Sequence, residues 1–449
     1  MSKQRIQLSD HFTYSRLLRF VLPCIGTMLF TSIYGIVDGL CVSNFVGKTA
    51  FAAVNLIMPL PMLLGTIGFM LGTGGSAIVG ITLGEGDQKK ADRYFTLFLL
   101  AALVSVSVLA VLGIVFLRPI AVLLGAKGEL LDYAVRYGRI LMVSLPTFAL
   151  QNMFQSFFVT AEKPHLGFWF TVGAGCTNMV LDVLMVGIWG WGVEGAAIAT
   201  FISQLVGGVL PVFYFIDRSN SSRLHLCKTS FYSKVLRDAC INGSSELMTN
   251  LSMSLVNILY NYQLLRLAGE NGVAAYGVIM YAAFLFVAVF VGYAVGSAPI
   301  VSFHYGARNH AEVHNLYRKS LRLIAVVAVT LTLASMFIIP CVARIFVGYD
   351  AELLALTSRA FRLYALSFLI MGFNVYASSF FTALGDGVTS ALISFLRTLV
   401  FQLAALLLLP ALWGIDGVWL AVTAAELAAL AVTVYMFVTK DQKFHYRHG

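Results

Sequence analysis

Apolar positions along this chain fall in long unbroken runs, with polar residues gathered at short intervals between them. Runs of about 20 residues or more can cross a hydrocarbon core. They lie near 17–43, 52–80, 94–124, 133–160, 166–188 and 193–216, and again near 236–267, 273–302, 317–346, 357–384, 388–410 and 416–438. Stretches such as Leu97–Val115 and Leu403–Leu412 do not alternate, so short barrel strands are excluded and helices are left to pair the backbone groups in lipid. The pattern predicts an all-α integral membrane protein of twelve transmembrane helices.

The second set of six repeats the first at a fixed offset of 222 residues. Ile78-Val79 and Gly84 recur as Ile300-Val301 and Gly306, and Trp191-Gly192-Val193-Glu194-Gly195 recurs as Trp413-Gly414-Ile415-Asp416-Gly417. Gly47 matches Gly269, Ala52-Ala53 matches Ala274-Ala275, and Asn152 matches Asn374. One offset holding at five places marks a duplication. It predicts two pseudo-symmetric six-helix lobes, residues 1–216 and 236–449, joined by a solvated linker over 217–235 that contains Ser219-Asn220-Ser221-Ser222-Arg223. Repeats of this kind are typical of transporters whose substrate binds where the halves meet.

Composition agrees with a bilayer protein: 59% of the 449 residues are hydrophobic and 11% charged, with mean hydropathy +0.85. That leaves too little polar surface for a soluble particle, and nothing outside the spans is long enough to bury a core of its own. If the N-terminus, every second connection and the C-terminus share one side, that side carries 20 of the 30 Lys and Arg, from Lys3, Arg5 and Arg16 through Lys89, Lys90 and Arg93 to Arg447. Lys48, Lys127 and Arg266 are among those opposite. The positive-inside rule then places both termini in the cytoplasm of a multi-pass inner (plasma) membrane protein. The net charge of +9 is accordingly a topology signal and not a nucleic-acid footprint. Met1–Asp10 is polar and the first apolar run is long, which predicts an uncleaved first helix. Cys24, Cys41, Cys176, Cys227, Cys240 and Cys341 show no metal or redox spacing and read as small apolar fillers. Gly72-Thr73-Gly74-Gly75 has no phosphate-binding lysine after it and reads as close helix packing.

Charged groups inside spans are costly and default to a functional reading. Four acids lie there: Asp38, Asp182, Glu246 and Glu426. Asp38 follows Tyr34 by four residues and Asp182 follows Asn178 by four, so each acid shares a helix face with a polar partner. Neither has a basic neighbour on its own helix. A carboxylate without a counter-cation in lipid is held more easily as the neutral acid, the property a proton-coupled carrier needs. The alternative, ranked below this one, is that both acids are polar glue between helices. Glu426 is expected to pair with Arg397, and Glu246 either anchors a helix start or faces a central cavity. Tyr34, Asn152, Gln155, Glu246 and Tyr260 are candidate cavity residues, with the ring faces suited to a cationic aromatic solute.

Over essentially the whole chain these residues resemble the multidrug and toxic compound extrusion (MATE) transporters, in particular a prokaryotic, DinF-like, proton-linked branch. The resemblance rests on two six-helix lobes, the turns Gly84-Glu85-Gly86-Asp87 and Gly306-Ala307-Arg308-Asn309, and the two Trp-Gly-x-acid-Gly turns. It implies a proton or cation site at Asp38, Asp182, Asn178 and Thr200, and a bend in the first helix at Pro23, where a helical hydrogen bond is missing. The same oxygens form a hard-ligand set that suits sodium. The sodium-type branch has an acid deep in its seventh helix and another in its tenth, and this chain has neither at those depths. The expected protein is a non-enzymatic, cofactor-free, monomeric antiporter that exports small organic, often cationic, substrates in exchange for protons or sodium. Alternatives from the residues are a flippase of lipid-linked or amphipathic molecules, and an uncoupled channel or receptor.

Overall fold

The structure, a computed structural model, describes residues 6–46, 48–348 and 350–446, with the side chains at 39–45, 48, 51, 342, 345 and 346 outside the description. Gly47 of the repeat, the basic residues Lys3, Arg5 and Arg447, and the side chains of Cys41 and Lys48 therefore lie outside the described residues. All described regular structure is helical. The first half contains α1 (Tyr14–Phe45), α2 (Lys48–Ile57), α3 (Pro59–Gly84), α4 (Gln88–Leu123), α5 (Glu129–Thr160), α6 (Pro164–Asp182), α7 (Gly192–Gln204) and α8 (Leu210–Ile216). The second contains α9 (Ser233–Asn242), α10 (Ser244–Gly306), α11 (His310–Val347), α12 (Ala351–Ala365), α13 (Phe368–Ala383), α14 (Gly387–Phe395), α15 (Phe401–Trp413), α16 (Ile415–Thr439) and α17 (Asp441–Phe444).

These elements make the twelve expected crossings. Among the described residues nine helices are long and apolar enough to span, and α12 with α13 forms a tenth that bends by 47° at Leu366 and Ser367. At 63 residues α10 would run about 95 Å at 1.5 Å per residue, and it breaks at Gly269, whose φ of 60° and ψ of −149° leave the helical region. It is two spans. The twelfth is α5, whose polarity comes from Glu129, Asp132, Arg136 and Arg139, all in its first three turns. The second crossing, expected as one run, is divided between α2 and α3 because Pro59 and Pro61 have no N–H to continue the ladder. The seventh is preceded by the separate helix α9.

The duplication is visible in the turns. Asp87 caps α4 by accepting from Lys90 N, and Asn309, 222 residues on, caps α11 by accepting from Glu312 N. Glu194 pairs with Arg136 at 3.7 Å, and its repeat Asp416 pairs with Arg359.

Glycines let the two halves close on each other at the face that carries the described chain ends. A side chain on Gly84 would sit 2.0 Å from Phe303 O, one on Gly306 would sit 2.0 Å from Ile81 O, and one on Gly80 would meet Ser302 at 2.8 Å. Gly243, between α9 and α10, lies against Met70 in the same way. Residues 6–13 strap this seam. Leu8 N donates to Glu162 at the end of α5 (2.9 Å), while Phe12 N donates to Glu312 of α11 (2.8 Å). His11 Nδ1 lies 2.6 Å from the same Glu312, and Leu8 and Phe12 are fully buried. Arg223 of the linker pairs with Glu162 and lies over the Phe303 ring at 4.9 Å.

Candidate functional site

Three groups of buried polar residues stand out, each beside a turn of π-helix, the wide turn that often marks functional positions in long helices. The turns are Val183–Ile188 after Asp182, Leu205–Val209 after Gln204, and Leu396–Val400 around Arg397.

In the first half, α1 packs on α6 and brings Asp38 and Asp182 face to face within hydrogen-bonding reach of each other. Asp182 is fully buried and Asn178 nearly so. Both oxygens of Asp182, Oδ1 of Asp38, and both polar atoms of the Asn178 amide have no well-formed hydrogen bond among the described residues. So many unmet polar atoms in one place are unusual in a folded interior. Tyr34 turns toward Gln151 of α5, and Tyr137 of α5 lies within electrostatic reach of both acids. Gly207 makes room for this corner, since a side chain there would stand 2.8 Å from Gln151 Cδ. Thr200 donates its hydroxyl to Ala196 O in its own helix (3.0 Å), which leaves it only as an acceptor. Pro23 is buried inside α1 without ending it. Neither the contact of Gln151 with Tyr34 nor the nearness of Tyr137 to the acids is signalled by any spacing in the sequence.

In the second half, Arg397 Nε lies 3.3 Å from Glu426 Oε1, the pair expected from the sequence. Asn374 Nδ2 donates to Glu426 Oε2 (2.7 Å) and Thr433 to Asn374 Oδ1 (2.8 Å). The residues 222 positions earlier are Asn152 and Gln204, both buried, and Asn152 Nδ2 and Gln204 Oε1 have no hydrogen-bond partner among the described residues. The repeat offset would have linked these pairs in advance.

Between the halves lies a cavity of about 130 Å³, lined from α3, α5, α10, α13, α14 and the π turn that follows α14. Glu246 and Arg397 are its charged residues and nine serines and threonines supply its hydroxyls, among them Thr73, Ser156, Thr249 and Ser378. Of the expected cavity residues, Glu246 alone lines it. Gln155 borders a small neighbouring void with Cys24 and Thr27. Tyr260 is 2% exposed and stacked on Tyr276 at 4.9 Å, so it is packed in the second half's core. No described aromatic ring lines the cavity.

The MatE family pattern matches residues 23–184 and 247–406, one segment in each half, and the chain belongs to this family of membrane transporters. It is 21% identical over 435 residues to the multidrug export protein MepA of Staphylococcus saprophyticus, across 96% of this chain and 94% of that protein. The Staphylococcus aureus MepA is 22% identical over 432 residues with the same coverage. The fold superposes on an outward-facing multidrug resistance MATE transporter of the MOP superfamily with a TM-score of 0.92, at 22% identity and 99% coverage of both chains.

Proposed function

We propose that the chain is a secondary active exporter of small organic molecules, driven by a proton or cation moving the opposite way through the Asp38–Asp182 site. Membership of a transporter family and the MepA relatives, described as multidrug export proteins, support export. The observation that carries the coupling is the pair of facing carboxyls with no basic partner and unmet oxygens. Two like charges side by side in a low-dielectric interior repel strongly. A single proton shared between them removes that cost. Sodium is the second ion the site suits, because Asp38, Asp182, Asn178 and Thr200 all offer oxygen acceptors.

In this reading both termini are cytoplasmic in the inner membrane and the glycine seam is a closed cytoplasmic gate. The cavity then opens outward, and export proceeds by rocking residues 1–216 against 236–449 in a monomer. Substrate and proton compete by sharing one moving body: protonation at Asp38 and Asp182 changes how α1 and α6 pack, and α1 also packs on α10 beside the cavity. Arg397 is already paired with Glu426, so the cavity holds an excess of negative charge, which disfavours the pyrophosphate of a lipid-linked flippase substrate.

Ethidium efflux by inverted vesicles, under a pH gradient alone or a sodium gradient alone, tests the proposal. The expected result is efflux that follows the pH gradient and is lost in Asp38→Asn. Efflux that ignores both gradients overturns it.

A further inference from the structure

We infer that the central cavity is a binding site for a small hydroxylated zwitterion, with Arg397 receiving its carboxylate and Glu246 its ammonium. This deepens the export reading by naming a substrate class. Four observations carry it. The cavity presents one cation and one anion that make no direct ion pair with each other: Arg397 contacts Glu426 through Nε, and the Glu246 carboxylate, which has no hydrogen bond or ion pair among the described residues, feels Arg397 only through its longer-range charge. A guanidinium offers five donors, so the Nε contact leaves the others able to take a carboxylate.

The rest of the wall fits the same ligand. Nine hydroxyls surround the two charges, several of which, such as Thr73, Ser76, Thr249 and Ser379, already donate to backbone carbonyls and so face a ligand as acceptors, and no described ring is present to stack on a flat cation. Size agrees. Sites for drug-sized ligands run to about 300–1,000 Å³, and this cavity is about 130 Å³, room for a solute the size of a small amino acid. The position agrees too. Thr73, Ser76 and Ser156 come from the first half and Ser245, Glu246 and Arg397 from the second, so a bound solute touches both bodies.

The probe is radiolabelled L-serine binding to the purified full-length protein in lipid nanodiscs. Its methyl ester lacks the carboxylate and D-glycerate lacks the ammonium. Saturable L-serine binding, weakened about tenfold or more with either analogue, is the expected result. Glu246→Gln is expected to weaken L-serine by about tenfold and to strengthen D-glycerate, an inversion that loss of structure does not produce. Arg397→Lys, which keeps a charge for Glu426, is expected to weaken both carboxylates and to spare the methyl ester. Absence of saturable L-serine binding by the folded wild-type protein overturns the inference, as does binding that Glu246→Gln leaves unchanged. Ethidium efflux that persists without L-serine binding discards this site and leaves the export reading standing. L-serine binding without any gradient-driven ethidium efflux supports the site and counts against export of organic cations.

Discussion

Adding one methyl group at Gly84 is predicted to hold the glycine seam open. The new Cβ would lie 2.0 Å from Phe303 O and 2.7 Å from Ala307 N, both backbone atoms of the facing half, so no side chain can rotate away to relieve the contact. Alanine is the better helix former by about 0.5–1 kcal/mol, a gain that cancels wherever α3 stays helical. The clash belongs only to the sealed state. Overpacking of a close contact costs about 1–3 kcal/mol, which shifts the sealed-to-open ratio by about 5- to 150-fold. Ser302, fully buried at the seam, serves as the reporter. With the native cysteines replaced by alanine and Ser302→Cys introduced, the maleimide labelling rate is expected to rise by that factor in Gly84→Ala. Gly306→Ala, with its Cβ 2.0 Å from Ile81 O, should do the same, whereas Gly277→Ala, where no atom lies within 4 Å, should not. Equal labelling in all three refutes the seam as a gate.

Three further outcomes follow from the buried polar groups. Replacing Glu426 by Ala strands Arg397 without its partner and is expected to destabilise the protein by about 3–5 kcal/mol in detergent unfolding, whereas Glu426→Leu with Arg397→Met should recover most of the loss. Glu312→Ala removes the acceptor of Phe12 N and of Asn315 Nδ2 (2.8 Å) and is expected to release the strap by about 1.5–3 kcal/mol, read as faster hydrogen exchange over residues 6–13 with α3 unchanged. Asp182→Asn replaces an unpaired buried acid by a neutral isostere, so thermal stability at neutral pH should hold or rise while coupled efflux is lost; a fall in stability with coupling retained would make the acid structural glue.

Much of the fold was legible because hydropathy and the 222-residue repeat are read from residue type alone. The twelve crossings follow from that pattern. What escaped it were local breaks with local causes: the division at Pro59, the bend at Leu366 and Ser367 where no proline or glycine gives warning, and the separate helix α9. In the site, Asp38 and Asp182 were found because lone acids in apolar runs are conspicuous. Gln151, which meets Tyr34, and Tyr137, which lies near the acids, were not, since both contacts depend on how α5 lies against α1 and α6. Tyr260 was assigned to the cavity by its helix, and the rotation of that helix turns it inward onto Tyr276. The hydroxyl-lined cavity draws single serines and threonines from several helices, each ordinary in its own sequence context.

The most direct test of the central claim is proton movement driven by substrate. The protein is reconstituted in liposomes holding a pH-sensitive dye, without sodium, and ethidium is applied as an outwardly directed gradient. Proton entry that accompanies ethidium exit, present in the wild type and absent in Asp182→Asn, is the predicted result. Ethidium exit with no change of internal pH, or proton entry undiminished in Asp182→Asn, would contradict it.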